Sequence, residues 1–472
     1  MKTKLAFLAI AICLALTLFG QKPNNLSPQE KIYGLSKFWQ EVNYNFVFID
    51  KINRQEWDAL YQEMIAKVLA TTNDYDYFRQ LDFFCAYLKD GHTNIYHPND
   101  IGQNIMTTMF GEYRLFLTNI DGKAIVTRVN ESKKSEIPIG SEVIVVNGMD
   151  VKTYMKENVT PYIASSTDYI RDKQSVYHLL RGYEGDKFTI QLKKPNQEII
   201  TLNIEHQLTE EKGIYPPFVD LKLLDFKKME NGVNYLALNS FEDEKLDSLF
   251  QQVLPDLYDS KGLIIDLRNN GGGSTNIGFN VLKYLVPDSV LYGSKSSSRM
   301  HIPTYKAWGA FVSPADTLQD NPEWGMSKAD MTQSFLMAHD IFYHEFPYQP
   351  EPIKGITKRI VVPTVILIGN ATASAAEDFL IYAHGQKHFT LMGEKTFGST
   401  GQPYLFSLPG GGNARVCTKK DTYPNGKEFV GYGITPDIEV KQSLDDYVHN
   451  RDVVLERALE HLKKQMKQGN NK

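Results

Sequence analysis

The chain has 472 residues, 42% hydrophobic and 23% charged, with a formal net charge of −5. That composition suffices for several domains with real cores and excludes a disordered or fibrous protein. Its acidic balance also argues against a nucleic-acid partner, whose phosphates call for a basic face. Residues 1–20 read as a secretory leader: Lys2 and Lys4 form a basic start, Leu5 to Phe19 is apolar, and small Gly20 precedes Gln21. The run is shorter than the roughly 20 apolar residues of a spanning helix, so cleavage and export are expected, with no stable membrane span afterwards. Cys13 sits inside the run and not at its end, which argues against lipid attachment there. Loss of the leader would leave Cys85 and Cys417, expected as buried hydrophobes, with a disulfide between them left open.

From residue 21 to 104 the apolar residues recur at helical spacing, as in Ile32, Leu35, Phe38 and Trp39, then Trp57, Leu60, Tyr61 and Ile65. The last helix of this region, Tyr75 to Leu88, is expected to end at Lys89-Asp90-Gly91 with the glycine as a left-handed cap. Residues 105–210 change to short alternating strands: Arg114–Leu117, Ala124–Arg128, Ser141–Val146 and Lys187–Leu192. The run from Ile137 through Gly140 to Asn147-Gly148 resembles a PDZ domain of the protease-associated kind, with Ser141 where such domains commonly have aspartate. That resemblance implies capture of an extended chain terminus as an added strand.

Residues 211–447 read as an α/β region. Gly262 to Leu267 is a buried-strand run followed by the turn Arg268-Asn269-Asn270-Gly271-Gly272-Gly273-Ser274 and a helix. The pattern repeats as a strand over 361–368, a turn over 369–372 and a helix over 373–383, which implies a parallel or mixed sheet. Between the two units lies an aromatic-rich insertion, 295–355, expected either to wall the substrate channel or to bury its own aromatics as a surface subdomain. The tail, 448–472, reads as an amphipathic helix.

In the segment Thr372-Ala373-Ser374-Ala375-Ala376-Glu377, a serine stands at a strand-to-helix turn, where free amides and the helix dipole favour developing negative charge. Ser374 and Glu377 equally fit a capping box, so the segment alone leaves nucleophile and cap both open. Thr372 and Ala376 exclude the G-x-S-x-G elbow. His339, His344 and Glu345 lack the spacing that places two zinc ligands on one helical face, and no dinucleotide or P-loop fingerprint occurs, so neither metal nor cofactor is expected.

Four ordered runs, GLIIDLRNNGGGS, TASAAE, GEKTFGSTG and GITPDIEV, together with the PDZ-like segment, are similar to the tail-specific (C-terminal processing) serine proteases. The resemblance implies a crotonase/ClpP-like α/β protease core, a PDZ-like β domain and a small N-terminal helical domain. It also implies Ser374 as nucleophile and an oxyanion hole from the amides of Gly272 or Gly273 and of Ala375, acting on a peptide or unfolded protein substrate. Where the best-known branch has its lysine base, this chain has Ser399, and Lys395 falls four residues too early. Asp90-Gly91-His92-Thr93 resembles the tricorn-type branch, which implies His92 as the base. Glu428 lies near the glutamate of that branch, with Asp437 or a backbone group as alternatives for the orienting acid. A catalytically silent binding protein on the same fold is the rival expectation.

Overall fold

The computed structural model describes residues 22–469; the leader, with Cys13, lies outside the described residues. Three helices open the chain, Pro28–Asn45, Arg54–Ala70 and Asp74–Ala86. The first begins with a complete capping box from Ser27 and Glu30, and asparagine side chains cap the other two. Their apolar faces are buried: Leu35, Phe38, Trp57 and Phe84 join one hydrophobic core with Leu236, Ile265, Ile366 and Phe379 of the α/β region. The N-terminal helices therefore form part of the α/β core and do not stand as a separate unit.

The third helix departs from the sequence expectation in an instructive way. Its left-handed residue is Lys89, with φ of 49°, and Gly91 keeps an ordinary φ. Gly91 is small for a different reason, since a Cβ there would lie 2.7 Å from Phe397 and 3.1 Å from Ser399 Oγ. It lets the chain that carries His92 approach the 396–399 turn.

Residues 105–210 form an antiparallel sheet whose main strands are Tyr113–Ile120, Lys123–Asn130, Glu142–Val146, Lys187–Lys193 and Ile199–Glu205. Its inward residues, including Leu115, Val126, Val143, Ile190 and Leu202, make a core of their own. The helix Asp168–Tyr177 packs across Tyr113–Ile120.

The central sheet has six strands in the order Leu224–Lys228, Val233–Leu238, Gly262–Asp266, Thr364–Ile368, Phe389–Gly393 and Ile438–Glu439. The first pair is antiparallel and the remaining pairs are parallel. Continuous burial of Gly262–Asp266 and Thr364–Ile368 explains their unbroken apolar sequences, because both faces are covered. The helices Lys245–Leu257, Thr275–Leu282 and Ala375–Tyr382 cover one face. Val454, Ala458 and Leu462 of the C-terminal helix Val453–Gly469 cover the other. That helix starts five residues later than the sequence pattern suggested, and the strand at 364 three later, since Pro363 has no amide to pair.

The insertion contains Lys295–Arg299, which pairs with Tyr343–Glu345 on one side and with Lys420–Thr422 on the other, and a helix Lys328–His339. Arg299 donates to the carbonyls of Asn43 and Phe46, and Tyr343 to that of Val47, so the insertion ties the core to the first helix. Phe311 remains 80% exposed and Trp324 46%, so the segment does not bury all of its aromatic residues.

Candidate active site

Two adjacent parallel strands deliver the site, as strand order dictates: the glycine turn follows Gly262–Asp266 and the serine turn follows Thr364–Ile368. Their loops are pinned together by buried side chains. Asn270 donates through its Nδ2 to the Leu238 carbonyl, and its own carbonyl accepts the Ala373 amide. Thr372 donates through Oγ1 to the Leu267 carbonyl and accepts the Gly369 amide. The Ala373–Asn270 and Thr372–Leu267 bonds join the serine turn to the glycine-turn segment, so the spacing of Ser374 from the glycines is fixed by buried groups.

Ser374 has φ of 54° and ψ of −124°. A non-glycine residue there costs roughly 1–3 kcal/mol, which the pinned turn sustains. Its side chain makes no capping bond, so the capping expectation fails, and among the described residues Oγ has no hydrogen-bond partner. The Ser374 amide donates to the Ser399 carbonyl at 3.2 Å. Glu377 is fully buried and serves the neighbouring turn: its carboxylate accepts Thr396 Oγ1 at 2.5 Å, the Gly398 amide at 2.9 Å and the Ser399 amide at 3.0 Å. Burial pushes its carboxyl up to about 8, against the pull of those donors.

Gly272 and Gly273 have φ of 104° and 131°, a region that needs glycine. Gly272 packs on the serine, and its own amide donates to Asn270 Oδ1 at 2.9 Å. Among the described residues the amides of Gly273 and Ala375 are without partners. Gly272→Ala would set a Cβ 2.7 Å from Ser374 Cβ and 2.9 Å from the Ala375 amide. That variant is expected to lose about 1–3 kcal/mol of stability and most of its activity, as checked by thermal melting and initial rates.

His92 follows the first helical region, and Thr93 locks it in place by accepting the Cys417 amide, while Asn94–Tyr96 pairs with Asn413–Cys417. These contacts bring His92 Nδ1 to 2.6 Å from Ser399 Oγ. Its Nε2 has no hydrogen-bond partner among the described residues. Burial holds the imidazole below its ordinary pKa, with Asp90 and Asp421 pulling it up and Arg415 and Lys419 pulling it down. Asp90 braces the histidine loop: its carboxylate accepts Thr93 Oγ1 at 2.7 Å and Ser166 Oγ at 3.2 Å.

The expected orienting acid is not at the imidazole. Glu428 pairs with Lys420 at 2.6 Å and Lys51 at 3.1 Å, because two cations flank it on the surface side. Asp437, the alternative, accepts the Leu391 amide. Lys395 is exposed, its carbonyl taken by Asn370, as its early register implied. Sequence reasoning missed the Ser399 contact and the bracing by Asp90 and Glu377; only the D-x-x-T spacing of Asp90 and Thr93 hinted at a side-chain-closed turn. Cys85 and Cys417 are free and buried. Among the described residues no His, Cys, Asp and Glu group is placed to hold a metal, and no helix is long and apolar enough to cross a membrane.

A parallel sheet that presents an uncapped, strained serine at a helix start beside unpaired amides is the framework of an α/β serine peptidase. Residues 232–440 match the model of peptidase family S41. The chain is 22% identical over 461 residues to a carboxyl-terminal-processing protease of Synechocystis sp., covering 93% of this chain and 88% of that one. Over 337 residues it is 22% identical to carboxy-terminal processing protease CtpA of Bacillus subtilis, covering 69% of this chain and 55% of the relative. Its fold is similar to mature CPAF in complex with lactacystin, with a TM-score of 0.61 at 14% identity over 94% of this chain and 99% of that one. The matched core, residues 232–440, is that of a peptidase of family S41, and over most of its length the chain is similar to carboxyl-terminal-processing proteases.

Proposed function

We propose that the protein is an exported endopeptidase that cleaves peptide bonds of peptides or unfolded proteins, with Ser374 as nucleophile and His92 as general base. One observation carries the proposal: Ser374 Oγ is uncommitted at a helix start, next to unpaired amides. In the proposed chemistry Oγ attacks the scissile carbonyl carbon while its proton passes to His92 Nε2. The carbonyl electron pair moves to oxygen, where the Gly273 and Ala375 amides would receive it. His92 then returns the proton to the leaving amine, and water repeats the sequence on the acyl-enzyme. Ser399 in the lysine position and the exposed Lys395 support the histidine branch over a Ser–Lys dyad. The antiparallel unit at 105–210, read as PDZ-like, would take a substrate terminus alongside a strand.

The contact of His92 with Ser399 and not with Ser374 favours one second reading, a silent binding protein on this fold. Hydrolysis of an unfolded protein as a function of pH separates the two. Only the neutral imidazole can accept the serine proton, so kcat/KM rises as pH rises through the His92 pKa. Burial holds that pKa down, so the acid limb is expected below about pH 6.5. A limb above about pH 7.5 would point to an amine base. Absence of hydrolysis at every pH would favour the binding protein.

A further inference from the structure

We propose that Ser399 is a positioning residue for the general base: its hydroxyl accepts the hydrogen bond from His92 Nδ1–H and so leaves Nε2 bare for the proton of Ser374. The inference rests on the catalytic assignment of Ser374 and His92 above.

Three contacts fix Ser399 where it stands. It is fully buried, its amide donates to Glu377 at 3.0 Å, and its carbonyl accepts the Ser374 amide at 3.2 Å. One residue thus touches the helix of the nucleophile through its backbone and the imidazole through its side chain. Gly91 is the matching feature on the histidine side, since a Cβ there would press on Ser399 Cβ and Oγ at 3.3 and 3.1 Å.

Among the described residues no carboxylate is hydrogen-bonded to the His92 ring. Asp90 is committed to Thr93 and Ser166, and Asp421 to Ser296, Thr400 and Lys419. Glu428 is held by Lys51 and Lys420. Among the described residues Ser399 Oγ is the sole hydrogen-bond partner of the His92 ring. The charges that act on the ring are mixed in sign, Asp90 and Asp421 against Arg415 and Lys419.

The direction of the bond decides the chemistry. A hydroxyl that donated to Nδ1 would leave the proton on Nε2, which could then accept nothing from Ser374. A hydroxyl that accepts from Nδ1–H bonds the neutral ring and the imidazolium, because both carry that proton, and bonds the charged imidazolium more strongly. Ser399 therefore stands in for the acid of a conventional triad with a neutral acceptor.

The test is Ser399→Ala, alongside Ser374→Ala and His92→Ala. Ser399→Ala is expected to lower kcat roughly 10- to 10²-fold with KM little changed. Without its acceptor the imidazolium is less stable, so the acid limb of kcat/KM moves down by about 0.5–1 pH unit. Imidazole nitrogen NMR of the wild-type protein should show His92 with its proton on Nδ1. Unchanged kcat and an unmoved limb in Ser399→Ala would overturn the proposal while the Ser374 and His92 variants remain dead. A wild-type ring protonated on Nε2 would overturn it too, and that measurement decides even if the variant fails to fold. Activity surviving in Ser374→Ala would instead refute the catalytic assignment on which it rests.

Discussion

Ser374→Ala is expected to remove peptide hydrolysis, lowering kcat by roughly 10⁴-fold or more, while the protein stays folded. The two halves of that expectation have separate physical grounds. Activity goes because the lost hydroxyl is the one held on the strained turn between the glycine loop and the Ala375 amide. Stability stays because Ser374 Oγ caps nothing, so alanine forfeits no hydrogen bond. Alanine also keeps a Cβ, so the cost of φ at 54° is the same in both proteins. The melting temperature should therefore move by no more than about 2 °C. A large fall in melting temperature would show that the hydroxyl is structural.

His92→Ala should lower kcat by roughly 10²–10⁴-fold, the usual range for a lost general base, whereas Lys395→Ala should change it little. The contrast is the informative part. His92 is held 2.6 Å from Ser399, whose carbonyl accepts the Ser374 amide. Lys395 is exposed, and its carbonyl is used to fasten Asn370. Steady-state kinetics on one unfolded substrate would compare them directly. A dead Lys395→Ala beside an active His92→Ala would place the protein in the lysine branch and remove the role argued for Ser399.

Much of the fold was written in local pattern. Buried strands at Gly262 and Thr364 announce themselves as unbroken apolar runs, and the alternation in residues 105–210 marks four of its main strands, though it stops three residues short of Ile120 and misses Ile199–Glu205. The glycine turn was legible because φ values of 104° and 131° admit little else. Ser374 was ambiguous from its own segment, since a serine three residues before a glutamate looks the same as cap or nucleophile. Only the tertiary placement of Glu377, turned inward to the 396–399 loop, separates the two. The Ser399–His92 contact joins residues 307 apart in the chain, and no periodicity encodes such a meeting. Gly91 shows how a right residue invites a wrong reason. It looked like a helix cap, yet its smallness serves the approach to Ser399. Glu428 is paired with Lys51 and Lys420, a placement that spacing along the chain does not encode.

Covalent labelling with a fluorophosphonate, followed by peptide mapping, tests the nucleophile most directly. The reagent phosphonylates a serine whose hydroxyl is activated and whose oxyanion is stabilised, so it reports the assembled site without a known substrate. The expected result is a single adduct on the peptide that carries Ser374, absent from Ser374→Ala and formed far more slowly by His92→Ala. An adduct on another serine, or no adduct in a protein that still cleaves peptides, would contradict the assignment of Ser374 as the nucleophile.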